Sequence, residues 1–164
     1  MSLWYKKIVD LTKIKNKGRF LLHFGAVDQF TEIFINDKKI GEHYGGYNSF
    51  YFDITNYINK DLSKTKIEVR VDYTKDGAAI GKQGDPRGRT FYVKTGGIWQ
   101  TVWIESVPNH FISNVKITPN YDTHSVSFLM TIEGIKGSKH IKNEGEIKIF
   151  DNNEKLINVF NYLN

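Results

Sequence analysis

Apolar residues in this chain recur at every second position and almost nowhere at the three-and-four spacing of a helix. Ile67, Val69 and Val71 alternate with Glu68, Arg70 and Asp72. Successive side chains of an extended strand point to opposite faces, so a run of this kind buries one face and wets the other. Residues 31–35 and 50–52 are aromatic and β-branched runs, again strand-like. Segments 19–24, 101–105, 112–118, 125–133, 146–150 and 156–160 complete the series. Asn36-Asp37 between two apolar runs reads as a hairpin turn, because both residue types tolerate positive φ. Gly45-Gly46 and Gly96-Gly97 mark further reversals. The one helical hint is a single turn at 53–58, with Asp53 or Thr55 as its cap. Many short strands with Gly and Asn turns predict an all-β sandwich or barrel.

A length of 164 residues suits one medium domain, or a small one plus part of another. Pro108 marks the expected boundary. Residues 99–107 read as a closing strand, and a new strand series starts at Phe111. The charge balance changes at the same place: residues 1–108 carry 17 Lys and Arg against 12 Asp and Glu, and residues 109–164 carry 6 against 6. The second part shows about four strand signals where a complete immunoglobulin-like sandwich uses about seven. The chain is therefore expected to stop inside its second domain.

Composition excludes several classes. There is no cysteine, which removes disulfides, Cys-ligated zinc and any Cys nucleophile. No apolar run is long enough for a membrane-spanning helix, and no basic region followed by an apolar stretch opens the chain. The compartment is not legible. The basic excess is scattered through strands and turns (Lys38, Lys39, Lys64, Lys66), so it reads as a solvated surface and not as a nucleic-acid or membrane patch. None of the five histidines forms the i, i+4 helical pair of a zinc site, so no metal is expected. Ser49, Ser106 and Ser125 lack a Gly-x-Ser-x-Gly elbow. The glycines at 81, 84 and 88 imitate a phosphate loop, but no helix follows to receive a phosphate, and no cofactor is expected. Trp99 and Trp103 share a parity and read as core; Asp28 and Asp53 border strands and read as partners of turn or cap amides.

Phe24-Gly25-Ala26-Val27-Asp28, then Ile35-Asn36-Asp37-Lys38-Lys39-Ile40-Gly41-Glu42-His43, then Gly45-Gly46-Tyr47 and Phe52-Asp53-Ile54-Thr55 form an ordered set of motifs. With Gly97-Ile98-Trp99-Gln100-Thr101-Val102-Trp103-Ile104-Glu105 they resemble the N-terminal sugar-binding domain of glycoside hydrolase family 2, the β-galactosidase and β-glucuronidase family. The resemblance covers roughly residues 4–108, and 111–118 onward looks like the start of that family's immunoglobulin-like domain. It implies a jelly-roll, galactose-binding-like β-sandwich over 1–108 and a partial immunoglobulin-like β-sandwich over 109–164.

The resemblance also implies a (β/α)8 catalytic barrel in the intact enzyme. A barrel needs about 250 residues of its own, so it lies outside this chain. There, two glutamates about 5–5.5 Å apart perform retaining hydrolysis, the acid/base usually following an Asn. Asn143-Glu144 and Asn153-Glu154 copy that dipeptide without a barrel strand around them, and no catalytic residue is expected here. The long glycine-rich stretch 72–94 corresponds to a loop that in the family reaches the barrel mouth. The resemblance thus implies that Asp85, Arg87 and Arg89 hydrogen-bond sugar hydroxyls and that Tyr92 stacks on a pyranose face. That stretch is expected to be the most mobile long segment.

The expected role is a non-catalytic fragment of a retaining hydrolase of terminal β-linked sugars, with β-galactosidase favoured. Its partners would be the carbohydrate substrate and the barrel of the same chain. The rival is a free-standing carbohydrate-binding or adhesion module. Val126, Phe128, Met130 and Ile132 form an apolar strand face that needs a cover, so self-association through 109–164 is also expected.

Overall fold

A computed structural model describes residues 2–14, 18–73, 95–134 and 144–163. The hub of the fold is β7 (Thr65–Asp72), where burial alternates strictly: Thr65, Ile67, Val69 and Val71 face inward and their neighbours outward. Strands β1 (Ser2–Val9) and β4 (Phe30–Ile35) pair antiparallel on either side of it, and β5 (Lys38–Tyr44) pairs with β4, giving the order β1-β7-β4-β5. A second sheet places β2 (Arg19–Phe24) between β6 (Phe50–Asp53) and β9 (Val102–Val107). A short pair, β3 (Val27–Asp28) with β8 (Gly97–Ile98), closes one end.

The core lies between the two sheets. Phe20, Leu22 and Phe24 of β2 meet Ile33 and Ile35 of β4 and Ile67, Val69 and Val71 of β7, with Leu11 and Ile54 filling in from the connections. Each such side chain contributes about 1.5–3 kcal/mol by leaving water. The Asn36-Asp37 turn has the positive φ values expected, 49° and 68°. Its Asn36 side chain donates to the Tyr57 carbonyl at 2.9 Å and accepts from the Lys66 amide at 3.0 Å, pinning the hairpin to β7. The helical hint becomes a 3-10 turn at Thr55–Tyr57. Asp53 accepts from the Thr55 amide at 2.9 Å, and the Thr55 hydroxyl accepts from the Phe20 amide at 2.9 Å.

Three elements differ from the sequence reading. Strand β1 escaped it because an edge strand exposed on most of its length shows little contrast between its two faces. A second 3-10 turn, Leu62–Lys64, is capped by Asp61. The closing strand starts at Val102, not at residue 99: β8 ends at Ile98, and residues 99–101 leave the sheet. That break cancels the shared parity of Trp99 and Trp103, and both are surface residues, 52% and 41% exposed, instead of core.

Among the described residues β1 and β9 are edge strands of opposite sheets, and a groove lies between them. The groove there has a volume of ≈ 520 Å³, with Leu22, Ile67 and Val69 among its lining and Tyr5, Ile98, Val102 and Trp103 beside them. The Ile98 amide donates to the Tyr5 hydroxyl at 3.3 Å across it.

Beyond Pro108 come two antiparallel hairpins, β10 (Phe111–Asn120) with β11 (Ser125–Glu133), and β12 (Glu144–Phe150) with β13 (Leu156–Leu163). Register places Ile112 opposite Ile132, Val115 opposite Met130, Ile117 opposite Phe128 and Pro119 opposite Val126, so one face of the first hairpin is apolar throughout. Ile147 and Phe160 of the second hairpin line a cleft with it. No residue of 109–134 or 146–160 is fully buried among those described. The whole is all-β: a two-sheet β-sandwich followed, among the described residues, by two antiparallel hairpins.

Candidate functional site

The β3–β8 pair sets Asp28 opposite Gly97 and Val27 opposite Ile98, and so brings three distant segments together at one end of the sandwich. They enclose a cleft of ≈ 330 Å³ lined by Asp28, Gly46, Tyr47, Thr95, Gly96 and Trp99. The peptide bond between Asp28 and Gln29 is cis. Gly45, at φ 121°, turns the chain after β5, and its amide donates to the Gln29 carbonyl at 2.9 Å. The Trp99 indole N–H donates to the Gly46 carbonyl at 2.8 Å, which fixes the ring. Tyr47 meets that ring edge-on, with centroids 6.0 Å apart.

Two glycines make the close approach possible. A Cβ on Gly46 would lie 2.9 Å from Asp28 Oδ1, and one on Gly96 would lie 2.1 Å from Tyr73 Cβ and 3.0 Å from the Asp28 carbonyl oxygen. The result is a carboxylate with two exposed aromatic rings beside it. Such a site suits a ring that presents hydroxyls to the acid and C–H bonds to the aromatics.

Asp28, read from sequence as a turn partner, also lines the cleft, where Gly46 approaches its carboxyl. Asp53 keeps the capping role expected of it. Asp85, Arg87, Arg89 and Tyr92 lie outside the described residues, as does the mobility expected of their segment. The described flanks of that stretch both come to this end of the sandwich: Thr95 lines the cleft, and Tyr73 packs against Gly96.

The histidines take structural places. His23 Nε2 lies 3.2 Å from Glu105, and its ring stacks on Trp103 at 4.8 Å. His43 stacks on Phe50 at 3.9 Å, and burial holds its pKa below the usual value against the opposing effect of a hydrogen bond to the Gly45 backbone. His124 sits at φ 49° in the turn between β10 and β11; His140 lies outside the described residues. Among the described residues no group of three or more His, Asp or Glu is arranged to hold a metal ion. Glu144 opens β12 while Glu154 sits at φ 61° in the turn beyond it. At about 3.3 Å per residue, a seven-residue strand holds them roughly 20 Å apart, far from the separation of a retaining pair.

The family model described as glycosyl hydrolases family 2, sugar binding domain, matches residues 1–108. A β-galactosidase of Thermoanaerobacter pseudethanolicus is 30% identical over 141 residues, which is 85% of this chain and 18% of that protein. A β-glucuronidase of Bacteroides fragilis is 37% identical over 98 residues, 60% of this chain and 13% of its own length. The crystal structure of Parabacteroides merdae β-glucuronidase superposes with a TM-score of 0.80 at 17% identity, covering 99% of this chain and 22% of that one.

Proposed function

Since the chain belongs to glycoside hydrolase family 2, we propose that it is the non-catalytic N-terminal part of a retaining hydrolase of terminal β-linked sugars. In this reading residues 1–108 are the sugar-binding domain, and 109–164 open the immunoglobulin-like domain. The catalytic barrel of the same polypeptide is the partner against which the cleft completes a substrate site. The convergence of Asp28, Tyr47 and Trp99 carries the proposal. Trp99 and Tyr47 offer apolar contact to the sugar ring and exclude water from it, and Asp28 accepts hydrogen bonds from its hydroxyls.

Relatives include both β-glucuronidases and β-galactosidases. We favour a neutral sugar such as a β-galactoside, because a uronate would bring a second carboxylate toward Asp28, and like charges in a partly desolvated cleft repel. The test follows the Trp99 indole N–H resonance while methyl β-galactoside or methyl β-glucuronide is added. The galactoside is expected to move it at millimolar concentration and the glucuronide to leave it in place. A stronger response to the glucuronide overturns the galactoside preference, and no response to either removes the cleft from the substrate site. The exposure of Trp99 and Tyr47 also fits a free-standing carbohydrate-binding module; micromolar binding by this chain alone on a glycan array would favour that reading.

A further inference from the structure

Strand β1 reaches the wall of the cleft through one side chain. Register sets Tyr5 opposite Val69 of β7, and Leu3 opposite Val71. Directly paired residues share a sheet face, so both side chains lie on the inward face of their sheet. The Tyr5 ring lines the groove between β1 and β9, and its hydroxyl accepts from the Ile98 amide of β8 at 3.3 Å. A Cβ on Gly97 would lie 2.4 Å from that hydroxyl oxygen and 3.3 Å from Leu3 Cδ1, so β1 packs directly on β8. Trp99 follows β8 without a gap. The Trp99 and Gln100 amides donate to the Ala26 carbonyl at 3.3 and 3.4 Å, and the Trp99 indole donates to the Gly46 carbonyl at 2.8 Å. Tyr5 supplies the bond from the other sheet. With two residues, β8 has few ladder bonds of its own and depends on such outside contacts. Leu22, Ile67, Val69 and Ile98 make the groove beside the Tyr5 ring apolar. A phenylalanine would fill the same space there; what the hydroxyl adds is the bond to β8.

We infer that Tyr5 is a positioning residue of the cleft: its hydroxyl holds β8 against β1 and so fixes where the Trp99 ring stands. The effect of Tyr5 on sugar binding rests on the cleft being the sugar site, as proposed above; its effect on Trp99 does not.

Tyr5→Phe keeps the ring and removes only the hydroxyl. The chain has three tryptophans, and the exchange of each indole N–H with water, followed by NMR, gives the readout. Trp4 is the chain neighbour of Tyr5, and Trp103 lines the same groove, so general loosening around position 5 reaches both. In Tyr5→Phe the Trp99 exchange rate is expected to rise about threefold, the scale of one modest hydrogen bond, with Trp4 and Trp103 unchanged. Half-saturation of the Trp99 shift by methyl β-galactoside is expected to need about threefold more sugar than in the unsubstituted chain. Unchanged Trp99 exchange, an equal rise at all three indoles, or equal galactoside affinity in the two proteins overturns the inference. An unsubstituted chain that ignores the galactoside removes the sugar reading of the cleft, and the Trp99 exchange rate then decides the role of Tyr5 by itself.

Discussion

Tyr51 donates its phenolic hydrogen to Glu133 at 2.6 Å, across 82 positions of sequence, and so fastens the β10–β11 hairpin to the outer face of the β6-β2-β9 sheet. Arg19 stands beside the bond. Its Nε donates to Asp53 at 2.9 Å, its far nitrogen lies 3.8 Å from Glu133, and its guanidinium sits 5.0 Å from the Phe111 ring centre. Phe111 opens β10 and Glu133 ends β11, so the hairpin is held by its open end and its turn points away.

This joint should be sensitive to alkali. The hydrogen bond to Glu133, then burial and the nearby negative charge, raise the Tyr51 pKa above its ordinary 10.0. A raised folded value means that the contribution is fully present below the unfolded value and fades as pH climbs through the folded one. Tyr51→Phe should cost about 1 kcal/mol at neutral pH, the scale of one partly exposed bond to a charged acceptor. It should also flatten the alkaline limb of a melting-temperature profile. Identical limbs for the two proteins would show that the bond adds nothing to stability.

Asp53 governs the acid side of the same face. Burial pushes its pKa up, but hydrogen bonds from the Thr55 hydroxyl and amide and from Arg19 outweigh it and hold the value below 3.8. The stability so gained is present above the unfolded value and lost as pH falls through the lowered folded one. Urea midpoints measured from pH 5 to pH 2 should therefore fall less for Asp53→Asn than for the unsubstituted chain. Some acid sensitivity will remain, because Asp10, Glu32 and Asp61 are lowered too.

Two glycine substitutions should separate folding from binding. An alanine Cβ at position 41 would lie 2.2 Å from Phe52 Cε1, inside the core packing, and should cost about 1–3 kcal/mol by overpacking. At position 46 the same atom meets the Asp28 carboxyl at 2.9 Å, a side chain at a cleft rim. Gly46→Ala should melt close to the unsubstituted chain yet lose the Trp99 resonance response to methyl β-galactoside. Equal losses of stability in both variants would contradict this division.

The chain alone should not hydrolyse nitrophenyl β-galactoside or β-glucuronide, since Glu144 and Glu154 occupy opposite ends of one hairpin arm. Turnover abolished by Glu154→Gln would overturn the non-catalytic reading.

The strands were legible where burial alternates, as in β7, where every second residue is sealed by neighbours on both sides. They were illegible where one strand edge meets solvent: β1 buries too little to stamp a pattern on its residues. The candidate cleft was legible only in pieces. Gly45-Gly46 and Gly96-Gly97 were visible as turns, but the two-residue β3–β8 pairing that brings Asp28 to Trp99 joins segments about 70 positions apart and leaves no periodic trace. The error over Trp99 has the same origin. Parity is a valid argument only within one unbroken strand, and the interruption at residues 99–101, after β8 ends at Ile98, is one that composition does not reveal.

The groove between β1 and β9 is a lipophilic slot in this folded chain, with core residues Leu22, Ile67 and Val69 among its lining. Environment-sensitive dyes brighten on apolar surface whether or not a chain has unfolded. This folded chain is therefore expected to fluoresce with such a dye at ambient temperature, and a dye-reported melt of it to start from a high baseline. A polar substitution in the slot, such as Val102→Ser, will darken that baseline, so brightness in this fold measures an architectural seam and not a loss of order.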